Sequence, residues 1–192
     1  MILEKNKKIN IISQNTASKK AIIDRHIIDS AQIIDFVDLN SNTTTDIGSG
    51  GGMPGIIVAI ILKNMKNNMN VHLYEKSYHK SHFLKEVSKK LNLNTKVFQK
   101  NIFEIKNLET GTIMSRAFKP MPVVLDLVYE NFSKYKNLIF FMGKSGKRIF
   151  ENSSSEKFSS RLIEFEQKKL KKFDIPNEEV SKKILNEIEK HD

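Results

Sequence analysis

Residues 45–62 read TDIGSGGGMPGIIVAIIL, and this stretch decides the fold. A polar-to-apolar lead over Thr43–Ile47 enters a glycine cluster and then an unbroken apolar run. That is the order of a buried strand, a tight loop and a buried helix. Asp46 and Ile47 close the strand, and Gly48, Gly50, Gly51 and Gly52 make the loop. Glycine there lets the backbone take positive φ and lets a ligand reach the main chain. Pro54 suits the first helical turn, where a missing N–H costs nothing. Ile56 to Leu62 are apolar on every side, as in a helix packed hard on a sheet. The first N–H groups of such a helix have no partner within it.

Spacing narrows the reading. A dinucleotide fingerprint, G-x-G-x-x-G, requires glycine at position 53, where the chain has Met53. The pattern present is G-x-G-x-G at Gly48, Gly50 and Gly52, with Asp46 two residues upstream. It resembles the first motif of class I S-adenosylmethionine-dependent methyltransferases. A structural glycine turn in another α/β domain gives a similar pattern, because such loops recur across that class. Downstream, VHLYE at residues 71–75 is a short strand ending in Glu75, 27 positions after Gly48. In a nucleotide-binding unit an acid there takes the ribose hydroxyls.

The rest of the chain alternates. A helix is predicted over His79–Leu91, with Phe83, Val87 and Leu91 on one face. Lys96–Gln99 reads as a third strand, and Asn101–Ile105 as the loop that lies over the adenine in this architecture. Gly111–Arg116 is a strand ending at the carboxyl edge, where ligands bind in open α/β sheets. Met121–Tyr135 reads as helix and Leu138–Met142 as a fifth strand, followed by the basic loop GKSGKR. Upstream, Ser18–Val37 is an amphipathic helix on which Arg25 and Asp29, one turn apart, can pair. Asn177–Lys190 has helical spacing. The whole predicts an α/β fold with a doubly wound, mostly parallel sheet. Residues 1–40 are expected as a helical segment packing on a Rossmann-like core of 41–192.

Composition bounds the function. The 192 residues carry 39% hydrophobic and 28% charged side chains, and no cysteine. Disulfides, thiolate metal sites and cysteine nucleophiles are excluded, and a reducing, cytoplasmic setting fits. No apolar run reaches the length of a membrane span, and the N-terminus lacks the apolar core of a signal peptide. His79 and His82 are three apart, but no third ligand accompanies them, so no metal is expected. The net charge is +10, and residues 1–150 hold 23 Lys+Arg against 12 Asp+Glu. The excess therefore sits with the glycine-loop domain, and it favours a polyanion partner.

Several runs together resemble one family. KINIIS at 8–13, RHIIDS at 25–30, DIGSGGGMPGI at 46–56, FLKEV at 83–87 and SRAF at 115–118 come in the order of the small-subunit ribosomal RNA methyltransferase G family, also called glucose-inhibited division protein B. The resemblance implies a class I methyltransferase fold, S-adenosylmethionine as donor, and N7 of a guanine in small-subunit ribosomal RNA as acceptor. The implied partner is that RNA or the ribosomal particle, and a monomer is expected. The resemblance implies cofactor contacts at Gly48, Met53, Ile102, Phe103 and Arg116, with Arg116 also positioning the substrate, and the reading of the glycine loop and second strand adds Asp46, Gly50, Gly52 and Glu75 to the expected cofactor contacts. Arg25, His26 and Asp29 match the N-terminal motif. The expected RNA-facing rim is Arg25, His26, Lys80, Lys119, Lys144, Lys147 and Arg148. The chain departs from the family pattern at His79-Lys80, where Lys-Arg is usual, and after the fifth strand, where the usual Lys-Gly falls on Met142-Gly143 or is displaced to Lys144-Ser145. Two other readings stay open: a methyltransferase on a small molecule or protein, and a non-catalytic RNA-binding relative.

Overall fold

The computed structural model describes residues 2–12 and 18–142. Its strands are β1 (Thr43–Ile47), β2 (Asn70–Tyr74), β3 (Thr95–Phe98), β4 (Leu108–Glu109), β5 (Thr112–Arg116), β6 (Phe132–Lys134) and β7 (Asn137–Phe141). Five of them form one parallel sheet in the order β3-β2-β1-β5-β7. The predicted order of alternating strands and helices yields this sheet, since parallel neighbours require crossover connections. β1 takes the centre, and the chain reverses its direction of winding there. In open α/β sheets that reversal is where ligands bind.

β1 is polar in sequence yet buried from Thr44 to Ile47. Its buried hydroxyls are satisfied by β5 and by Thr110 just before it. Thr44 Oγ1 donates to the Thr112 carbonyl at 3.0 Å, and Thr45 Oγ1 to Thr110 Oγ1 at 3.1 Å. A buried hydroxyl with a partner costs little, which permits threonine in a central strand.

The principal helices are α4 (Gly55–Asn64), α5 (Tyr78–Lys90) and α6 (Met121–Asn131). Gly55 to Leu62 of α4 are all buried. One side of α4 packs on β2 and the other on the N-terminal helices, which accounts for its all-round apolar sequence. Two cores result, one on each face of the sheet. The first joins Ile11, Ile12, Ile22, Ile27 and Ile33 to α4 and to Phe83, Leu84 and Val87 of α5. The second joins Ile47, Tyr74, Ile102 and Ile113 to Val124, Leu127 and Val128 of α6.

Two expectations change. The helix predicted over Ser18–Val37 is instead α2 (Lys19–Ile22), a π-turn over Ile23–Ile27, α3 (Ile28–Ala31) and a 3₁₀ turn at Ile34–Phe36, preceded in the chain by the short α1 (Ile2–Asn6). The Ile28 N–H reaches back five residues to the Ile23 carbonyl. The wider turn lets Ile22 and Ile27, five apart, both face the core. The helix predicted over Met121–Tyr135 stops at Asn131, and β6 follows, pairing in parallel with β4. The KINIIS run docks because Asn6 is buried and its Oδ1 accepts from Ile11 N at 2.8 Å and Ile12 N at 2.9 Å. The basic loop GKSGKR and the helix over Asn177–Lys190 lie outside the described residues. Among the described residues no helix is long and apolar enough to cross a membrane.

Candidate active site

The glycine loop leaves β1 at the carboxyl edge of the sheet. Gly48, Gly50 and Gly52 take φ of +73°, +54° and +87°, the left-handed region where glycine alone is unstrained. Gly48 N and Ser49 N both donate to the Tyr74 carbonyl at 3.0 Å, tying the loop to the end of β2. The next residue on that side is Glu75. Its Oε2 accepts from Gly50 N at 2.9 Å and its Oε1 from Ser77 N at 2.8 Å. One half-buried carboxylate thus links the loop to the entrance of α5, and each oxygen keeps a second lone pair for another donor. Tyr74 stacks on Phe98 of β3, centroids 4.6 Å apart and planes within 8°, and this fixes the strand end beside Glu75. A Cβ placed on Gly50 would meet only the Gly48 carbonyl oxygen, at 3.7 Å, so the loop is open there.

Asp46 supports this loop from beneath. It is 1% exposed, and its Oδ2 accepts the Gly55 N–H at 2.9 Å. Ser49 Oγ donates to the Asp46 carbonyl at 3.0 Å. Burial pushes its carboxyl up to about 7; the Gly55 and Ser49 hydrogen bonds oppose this, the Glu75 charge adds to it and Arg116 lowers it. Asp46, expected among the cofactor contacts, therefore sits below the loop with its carboxylate at the start of α4. Gly55 is needed above it, because a Cβ there would fall 2.3 Å from Leu73 Cδ2 and 2.6 Å from Asp46 Oδ2. Met53, half-buried, packs on the first core, and the Met53–Pro54 peptide is cis.

The loop after β3 carries a 3₁₀ turn at Ile102–Glu104. Ile102 points into the second core at 3% exposure, while Phe103 is 36% exposed. The turn is held from behind by Asn131, the last residue of α6, which is 2% exposed. Asn131 Nδ2 donates to the carbonyls of Ile102 (2.9 Å), Phe103 (3.2 Å) and Ile105 (2.6 Å), and its Oδ1 accepts from Lys106 Nζ at 2.9 Å. The sequence reading did not single out Asn131. The signal available was a lone amide seven residues after Val124, on the buried face of an apolar helix.

Arg116 ends β5. Its Nη1 donates to the His26 carbonyl at 3.3 Å and Ser30 Oγ at 3.2 Å, and its Nη2 lies 3.6 Å from Asp29 Oδ2. The guanidinium also lies over the Phe141 ring, 5.4 Å from its centroid, as the pairing of Arg116 with Phe141 in the sheet dictates. The RHIIDS run thus meets SRAF across the top of the sheet, 86 to 90 residues apart in sequence. The expected Arg25–Asp29 pair falls outside the described side chains; Asp29 is seen with Arg116. His26 is half-buried on the π-turn and contributes its carbonyl. Ala117 follows with φ +50°, and Phe118 then lies against Gly48. Lys80 is half-buried on α5 and Lys119 is exposed, whereas Lys144, Lys147 and Arg148 lie outside the described residues. Among the described residues no three His, Asp or Glu side chains gather as a metal site.

A family model described as rRNA small subunit methyltransferase G matches residues 1–181. The chain belongs to that family. A small-subunit methyltransferase G from Pelagibacter ubique (strain HTCC1062) is 62% identical over 169 residues, 88% of this chain and 78% of that protein. One from Rickettsia rickettsii (strain Sheila Smith) is 31% identical over 140 residues, 73% of this chain and 69% of that protein. One from Jannaschia (strain CCS1) is 30% identical over 139 residues, 72% of this chain and 65% of that protein. Among solved structures, an S-adenosylmethionine-dependent O-methyltransferase from Thermotoga maritima superposes with a TM-score of 0.53 at 14% identity, over 79% of this chain and 54% of that one. The likeness places the chain in the class I methyltransferase fold.

Proposed function

We propose that this chain transfers a methyl group from S-adenosylmethionine to N7 of a guanine in small-subunit ribosomal RNA. The observation that carries the reading is the glycine loop at the centre of the sheet, latched to Glu75 and open at Gly50, in a member of this family. The residues present fit the donor. Glu75 keeps acceptor capacity on both oxygens for the ribose hydroxyls, the backbone at Gly50 admits close approach, and Ile102–Phe103 form the loop assigned to the adenine. Met53 and Asp46 act from the core side, by holding the loop.

The bound donor supplies an electrophilic methyl on a sulfonium. Guanine N7 has a lone pair and no proton, so its attack needs no general base. The protein has to hold acceptor and methyl in line at near-attack distance. Positive charge passes to the guanine ring as the bond forms, and a bare cation beside N7 would oppose it. Arg116 suits this requirement, since Asp29, Ser30 and the His26 carbonyl hold its guanidinium. Its part is to position the N-terminal motif against the strand end. The basic residues that would meet RNA phosphates are Arg25, Lys80, Lys119, Lys144, Lys147 and Arg148, with His26 next to Arg25 in sequence.

The test is to incubate the full chain with radiolabelled donor and small ribosomal subunits, then map the modified base. Label at N7 of a guanine in small-subunit RNA is expected. Label only on protein, on a small molecule or on another RNA refutes the assignment, and donor binding without transfer refutes turnover.

A further inference from the structure

We propose that Phe118 is the aromatic face on which the acceptor guanine lies during transfer. The inference rests on the guanine-N7 reading and adds a residue that the sequence motifs did not assign. Its first support is placement. Ala117 holds φ +50°, a left-handed conformation that few non-glycine residues adopt, and such outliers gather at functional sites. The turn brings Phe118 back from the end of β5 onto the glycine loop. A Cβ built on Gly48 would lie 2.1 Å from Phe118 Cδ2, so the ring is in direct contact with that glycine.

The second support is the company the ring keeps. Phe103, 36% exposed on the loop after β3, lies 6.0 Å from it between centroids, with planes tilted by 36°. Two aromatic rings from separate loops therefore converge at the carboxyl edge. Phe118 packs on the second core but is only partly buried. Lys119, the next residue, is exposed, and Arg116, two residues back, is engaged with Asp29 and Ser30.

The third support is the chemistry. The N7 lone pair forms the new N–C bond while the methyl–sulfur bond breaks and its electron pair returns to sulfur. Sulfur becomes neutral, and the guanine imidazole ring takes the positive charge. A single-stranded base stacks on an aromatic side chain in its ground state. The negative face of that ring then attracts the charge as it develops. The attraction is stronger in the transition state than before it, so it raises kcat rather than lowering KM alone.

The experiment uses the full chain, small subunits and labelled donor. Cation–π strength of about 0.5–2 kcal/mol predicts that Phe118→Leu lowers kcat roughly 2- to 30-fold. Donor Kd by calorimetry is expected to change less than about threefold, and Phe118→Tyr to restore the rate. Fluorinated phenylalanines at position 118 keep the shape and weaken the ring's negative face, so kcat should fall stepwise with fluorine count while melting temperature holds. A fluorination series with flat kcat overturns the proposal. So does a Phe118→Leu loss of rate matched by an equal loss, or a gain, in donor affinity, because Phe118 would then belong to the donor pocket. Wild-type chain that labels no guanine defeats the parent reading; labelling that Phe118→Leu leaves intact defeats only this one.

Discussion

Replacing Asn131 tests whether one buried amide sets the shape of the loop assigned to the adenine. Its Nδ2 has two hydrogens shared among three carbonyls, of Ile102, Phe103 and Ile105, at 2.6–3.2 Å. Asn131→Ala removes the equivalent of two full hydrogen bonds, each worth about 0.5–1.5 kcal/mol net, and leaves carbonyls without a donor. A loss of about 2–3 kcal/mol follows, which in a domain of this size lowers Tm by roughly 4–12 °C. Asn131→Asp keeps the volume and supplies a distinguishing sign. One carboxylate oxygen would keep the Lys106 ammonium at the Oδ1 position, but the other would replace Nδ2 and face three carbonyl oxygens, so the folded state favours its protonated form. A carboxyl whose pKa is raised by folding adds stability at low pH and loses it as pH rises. The Asp variant should therefore recover stability relative to wild type as pH falls from 8 to 5, whereas the Ala variant should not. Urea unfolding at the two pH values and calorimetry with the donor measure both effects, and donor affinity should fall at least about tenfold for a loop cost of 1.4 kcal/mol. Unchanged Tm and unchanged donor affinity in Asn131→Ala would refute the reasoning.

Gly48→Ala places a Cβ 2.1 Å from Phe118 Cδ2 at φ +73°, whereas Gly50→Ala at φ +54° meets only a carbonyl oxygen at 3.7 Å. Both carry the left-handed strain of about 1–2 kcal/mol, so the Gly48 variant should be the less stable in urea, and equal stability would contradict the packing described. The Asp46 carboxyl is raised from 3.8 to about 7 by burial, so its contribution is complete below 3.8 and is lost as pH rises through about 7. Wild type should lose stability relative to Asp46→Asn between pH 5 and pH 8, by at most about 1.4 kcal/mol per unit within the window; a constant difference refutes the buried proton. Asp29→Ala breaks a partly exposed pair at 3.6 Å and should cost under about 1 kcal/mol, yet hasten proteolysis of the N-terminal segment; unchanged cleavage would detach that segment from Arg116.

The site was legible in the sequence where chemistry is local. Glycines at 48, 50 and 52 announce a loop of positive φ, and an acid at the next strand end announces the carboxylate beside it, because both follow from spacing along one βαβ unit. The apolar run of α4 announced a helix covered on both sides. Helix ends were less legible. Phe132 and Tyr135 extend the apolar period of Val124 and Val128, and pairing of β6 with β4 overrides it.

Sequence by itself determined the order of elements, the glycine loop and its acid, since period and turn chemistry are properties of neighbours along the chain. Tertiary structure alone decided the rest. It gave Arg116 to Asp29 and Ser30, Asn131 to the carbonyls of a loop 26 to 29 residues away, and Phe118 to Gly48. Those partners meet only because five parallel strands bring their carboxyl ends to one edge, and the distance between residues in a sequence carries no record of that edge.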